Sequence, residues 1–101
     1  MSEGTLEQHH AELDAELAEA QSVYEEAVAS NPPNPVPPIC TIPPFPQGAT
    51  TEQKIAALHC ALDMVASYMD CIQGDPNNWA SCVSQVCATF TTCWNNAFGI
   101  T

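Results

Sequence analysis

The chain of 101 residues contains no arginine and a single lysine, Lys54, against twelve carboxylates, for a formal charge of −11. With nothing to replace the counterions of a nucleic acid, and like charge toward an anionic bilayer, it excludes nucleic acid as a partner and disfavours membrane surfaces. No Cys-x-x-Cys occurs, so the reactive pair of a redox shuttle is missing, as is the commonest half of a zinc site. The longest uncharged stretch, 76–101, carries Asn77, Asn78, Ser81, Ser84, Gln85, Asn95, Asn96 and several threonines, and is too polar to cross a bilayer. The first seven residues have neither a basic n-region nor an apolar h-region, so they do not read as a secretory signal, and export is expected to use a removed signal or another route. No segment alternates apolar and polar residues with period two, so no strand is expected and the fold class is all-α.

What is present is cysteine and proline. Six cysteines in a chain this short fit an oxidising compartment, and the even count favours disulfides. Eight of the nine prolines lie between Asn31 and Pro46, a stiff polyproline-like strap. Cys40, flanked by Ile39 and Ile42, predicts that the strap is pinned to a domain and is more than a spacer. The chain then divides into an acidic amphipathic helix over 1–30, the strap over 31–49 and a helical hairpin over 50–101.

Residues 1–30 hold eight of the twelve carboxylates. Thr5 and Gln8 have capping-box spacing, and Leu6, His10, Leu13, Leu17, Ala20, Tyr24 and Ala27 make one narrow stripe of a helix about 25 residues long. Glu and Asp crowd the other faces without lysines to pair with, so this helix is marginal alone and should dock on something. In the second half, Thr50-Thr51-Glu52-Gln53 starts a helix whose Ile55, Leu58, Leu62, Val65, Met69 and Ile72 repeat at three and four. Gly74-Asp75-Pro76 ends it and starts another, expected to run from about Pro76 to Ala97 and to stop before Gly99.

Cys60, Cys71, Cys82 and Cys93 are each eleven residues apart, about three helical turns, so each helix of the hairpin carries its two cysteines on one line. They are also placed symmetrically about the turn. In an antiparallel hairpin, equidistant positions lie at one height, which predicts Cys60–Cys93 and Cys71–Cys82. At about 100° per residue Cys87 points roughly 120–140° away from that line, toward another neighbour. Cys40 alone remains for it. Of fifteen connectivities the geometry selects this one.

The middle helix is apolar on two sides, with the leucine stripe on one and Ala57, Cys60, Met64, Tyr68 and Cys71 on the other. Two partners are implied, the last helix and either the acidic helix or a second protein. The last helix places Trp79, Val83, Val86, Phe90, Trp94 and Ala97 on one face, a stripe that is more often core than surface. Candidate binding residues are Trp79, Phe90, Trp94, Tyr68 and Met64. The paired Cys-x10-Cys hairpin of residues 51–98, outer with outer and inner with inner, resembles the coiled-coil-helix-coiled-coil-helix family, whose motif is twin Cys-x9-Cys. That resemblance implies an assembly factor or structural subunit of the mitochondrial intermembrane space, imported by oxidative trapping.

Catalytic and metal readings are weaker than their alternatives. The nearest spacings, Cys82-x4-Cys87 and Cys87-x5-Cys93, put sulfurs on different faces, so no metal and no cofactor is expected. Adjacent His9 and His10 read as a solvated pair. His59 beside Cys60 suggests a Cys-His nucleophile, but a bridged Cys60 has no thiolate to offer. Glu25-Glu26 and Asp63 with Asp70 read as solvated faces. The chain is expected to be no enzyme but a small disulfide-rich binding or effector protein of signal, toxin or inhibitor type. It would act on another protein, as a monomer or weak homodimer, in an extracellular or other oxidising space such as a periplasm or the intermembrane space. A second role is a precursor peptide, with residues 1 to about 48 as acidic leader and a processed core rich in Cys, Ser and Thr. The intermembrane-space role is the third.

Overall fold

A computed structural model describes residues 6–30 and 35–100. Within them the chain forms three helices and no strand: α1 (Leu6–Ser30), α2 (Thr51–Ile72) and α3 (Trp79–Ala97), the last preceded by one 3-10 turn, Pro76–Asn78. The proposed cap at Thr5 lies outside the described residues.

Local chemistry sets each boundary. Thr50 Oγ1 accepts from the Gln53 amide at 3.1 Å while Gln53 Oε1 accepts from the Thr50 amide at 2.9 Å, a closed capping box at the start of α2. Asp75 accepts from the Asn77 amide at 3.0 Å, and with proline next to it the chain turns tightly before α3. This 3-10 turn takes up the three residues that periodicity assigned to the last helix. At the far end Gly99 adopts φ 70°, and the amides of Gly99 and Ile100 donate to Asn96 and Asn95. That double closure needs a left-handed residue at the position glycine occupies.

Helix α2 is the centre, and α1 and α3 both pack on it. Disulfides at both heights, Cys60–Cys93 and Cys71–Cys82, fix α3 antiparallel to it. By contrast α1 runs parallel to α2: His9 stacks on His59 in the N-terminal halves of both helices, and Val23 and Ala27 meet Ile72 near both C-termini. A parallel pair needs a long return connection, and the proline strap provides it. Tyr68 donates its phenol proton to the Pro37 carbonyl at 2.7 Å, Cys40 is bridged to Cys87, and Phe45 ends the run beside Trp94. Val36, Ile39, Ile42 and Phe45 pack against the same core as the helices. The strap thus lies along the bundle as a fourth element.

The stripe of α1 differs from expectation at one place. Leu13, Ala20 and Ala27, seven apart, are buried, and His9 is buried with them at 4% exposure, whereas His10 is exposed. His9 stands three residues after Leu6 and four before Leu13, which puts it on the stripe's centre line; His10 falls at the edge. The solvated-pair reading is corrected accordingly: His9 stacks on His59 with centroids 4.8 Å apart, and His10 rests edge-on against Phe45 at 5.7 Å.

Burial, with a smaller contribution from Tyr24, pushes the Tyr68 phenol up to about 12. An unfolded phenol ionises near pH 10. Below pH 10 both states keep the proton, so this contribution to stability is fully present there and is lost as pH rises toward 12. Urea midpoints measured across that window should fall more steeply for the native chain than for Tyr68→Phe, and parallel curves would contradict the assignment.

Candidate functional site

A groove opens between α2 and α3 on a side to which neither α1 nor the strap contributes. Its volume is about 290 Å³. From α2 come Cys60, Asp63, Met64 and Ser67; from α3 come Cys82, Gln85, Val86, Thr89, Phe90 and Cys93. These are the positions between the cysteines on the faces the two bridges hold together, so the helical register that pairs the sulfurs also forms the groove. Met64 and Phe90, both 3% exposed, belong to the core beneath it, while Asp63, Ser67, Gln85 and Thr89 are exposed. A second, shallower depression shares Gln85, Thr89 and Cys93 and extends along α3 past Ala88 and Thr92 to Asn96. The groove has a covalent bridge toward each end, an uncharged α3 wall and Asp63 on its α2 edge.

The other residues expected to face a partner lie elsewhere. Trp79, at 2% exposure, is enclosed near Ala27 and Ile72, and its buried indole Nε1 has no hydrogen-bond partner among the described residues. Tyr68, at 1%, is covered by the strap it bonds, and Trp94, at 4%, stacks on Phe45 with centroids 5.9 Å apart. As folded, these three present no surface: α1 and the strap cover the side of the hairpin on which they stand. Only Met64 and Phe90 of the candidate set come together at the groove. Asp63, which the sequence presents as part of a solvated face, lines the groove, and Ser67, Gln85 and Thr89 join it at three, four or seven residues from a cysteine.

All six cysteines are bridged, as Cys40–Cys87, Cys60–Cys93 and Cys71–Cys82, with Cα separations of 5.6, 5.8 and 5.7 Å. Cys60 is therefore no nucleophile for His59. On the other flank of α2 a depression of about 310 Å³ is lined by His9, Glu12, His59, Leu62 and Asp63. Among the described residues no three His, Cys, Asp or Glu side chains are placed to hold a metal ion. Asp63 borders both depressions and so stands on the ridge between them.

Three disulfides point to an oxidising compartment. Set against protein-family models, curated proteins and solved structures, the chain matches none, and its likeness to the coiled-coil-helix-coiled-coil-helix family stays at the level of a stapled helical hairpin.

Proposed function

We propose that this is a binding module, secreted or otherwise delivered to an oxidising space, that acts by docking another protein in the α2–α3 groove and not by catalysis. One observation carries the reading: the groove is the place where the two interhelical bridges, an apolar floor and an uncharged helix face coincide outside the cover of α1 and the strap. Interfaces concentrate their energy in such charge-depleted, well-packed centres with a polar rim. Rigid walls add to this, because disulfide-held helices lose little freedom when a partner arrives.

The precursor reading makes different demands on the first half of the chain. Removing residues up to about 48 would take Leu13, Ala20 and Ala27 from the core, expose α2, and sever the strap that Cys87 holds. This favours a full-length module over a processed core. An intermembrane-space assembly role is a special case of the module and uses the same surface.

Site-specific photo-crosslinking in the source organism tests the proposal. A photoreactive side chain at Thr89, in the groove, is expected to capture one protein reproducibly, and the same group at Glu25 on α1 is expected not to. Equal capture at both positions, or none at Thr89, overturns the reading.

A further inference from the structure

Resting on that reading of the groove, we infer that its occupant is a cationic amphipathic segment of the partner protein, apolar where it enters and carrying Lys or Arg at its edge. The groove itself has no positive group, and α3 has no charged residue at all. Its α2 lip is acidic. Asp63 lines the groove on the ridge shared with Glu12, and Asp70, exposed and beyond the groove's lining residues, follows seven residues further along the same helix face, about 10 Å away by helical rise.

Within the chain the basic groups near these carboxylates are few: His9 and His59 line the depression behind Asp63, away from the groove. The only lysine in the chain, Lys54, has its ammonium over the Phe45 ring at 5.6 Å, and Phe45 belongs to the strap. A second copy of the chain would bring Asp63 and Asp70 toward a body of charge −11, and an acidic or phosphorylated segment would meet the same repulsion. An apolar centre beside a rim of one sign selects a partner whose rim has the other sign. Basic side chains about 10 Å apart, two turns of a helix, would match the two aspartates.

The test uses the oxidised full chain and three labelled peptides of about fifteen residues with identical leucine patterns, whose polar positions are Lys, Gln or Glu. By fluorescence anisotropy the Lys peptide should bind, weakening as salt is raised. Asp63→Asn with Asp70→Asn should weaken it about fivefold, whereas Glu19→Gln with Glu25→Gln, the same change in net charge on α1, should shift it less than about twofold. Thr89→Trp, an exposed position whose enlargement fills the groove, should abolish it. Equal losses from the two charge-matched pairs would mean diffuse attraction and would overturn the inference. If the Gln peptide binds as tightly as the Lys peptide and Thr89→Trp blocks it, the groove stands and the cationic occupant falls. Absence of binding by every peptide, or indifference to Thr89→Trp, removes both. A dimer in sedimentation that Thr89→Trp dissolves would make a second copy the occupant and likewise overturn it.

Discussion

Replacing Cys40 and Cys87 together by serine is expected to destabilise the protein by about 4 kcal/mol, against about 3 kcal/mol for the Cys71 and Cys82 pair. The difference follows from loop size: the first bridge joins residues 47 apart and the second residues 11 apart, so the first removes more freedom from the unfolded chain. Both members of the strap bridge are partly exposed, so the introduced hydroxyls reach water and add little penalty of their own. The urea midpoint should fall while the dependence on urea steepens somewhat, because the unlinked denatured chain exposes more surface. A loss below about 1 kcal/mol would mean that the denatured chain already holds the strap near α3. Reducing all three bridges removes stabilisation comparable to the entire stability of a domain, about 5–15 kcal/mol, and the reduced protein is expected to show no cooperative transition.

The cysteine pairing was readable because its information is purely geometric. Equal spacing on two helices either side of a marked turn leaves one way to bring four sulfurs together, and Cys87, rotated off that line, had one partner left. Helix starts and stops were readable for a similar reason, since Thr50, Gln53, Asp75, Pro76 and Gly99 each act within a few residues of chain. Less could be read where the answer depends on what covers a face. The stripe of aromatics on α3 and the second apolar side of α2 looked the same whether they met α1, the strap or another protein. In the structure α1 and the strap cover them, and Trp79, Tyr68 and Trp94 turn out to be interior.

His9 is a finer case of the same kind. A histidine is compatible with either environment, and the choice between residues 9 and 10 turned on about one third of a helical turn. Parallel packing of α1 on α2 settles it in favour of His9, with His59 as its neighbour. The direction of α1 was itself not legible, because a strap of this length could return the chain for a parallel helix or simply run past an antiparallel one. The groove was partly legible: Met64, Phe90 and the uncharged last helix were candidates from the sequence, whereas its rim is made of ordinary polar residues that no local pattern marks.

Truncating Trp94 to alanine is expected to cost about 3–5 kcal/mol, the usual range for removing a large buried aromatic. The size of the effect reflects its contacts. Trp94 lies within 5.9 Å of Phe45, 5.5 Å of Phe90 and 5.3 Å of Phe98, centroid to centroid, so one side chain joins the strap to both the middle and the end of α3. Phe45→Ala should cost less, about 1–2 kcal/mol, because Phe45 is only half-buried. The informative quantity is the coupling between the two. If the strap is a packed element, the double variant should lose about 0.5–1.5 kcal/mol less than the single losses imply, since the stacked pair can be lost only once. A spacer held by Cys40 alone would give a silent Phe45→Ala and no coupling. The strap also carries the His10 and Lys54 contacts to the same ring, so loosening Phe45 should release the N-terminal ends of α1 and α2 together. Amide exchange in Phe45→Ala should therefore accelerate first around His10 and Lys54, while the segment near Cys71 and Cys82, held by its own bridge at the opposite end of the bundle, keeps its protection.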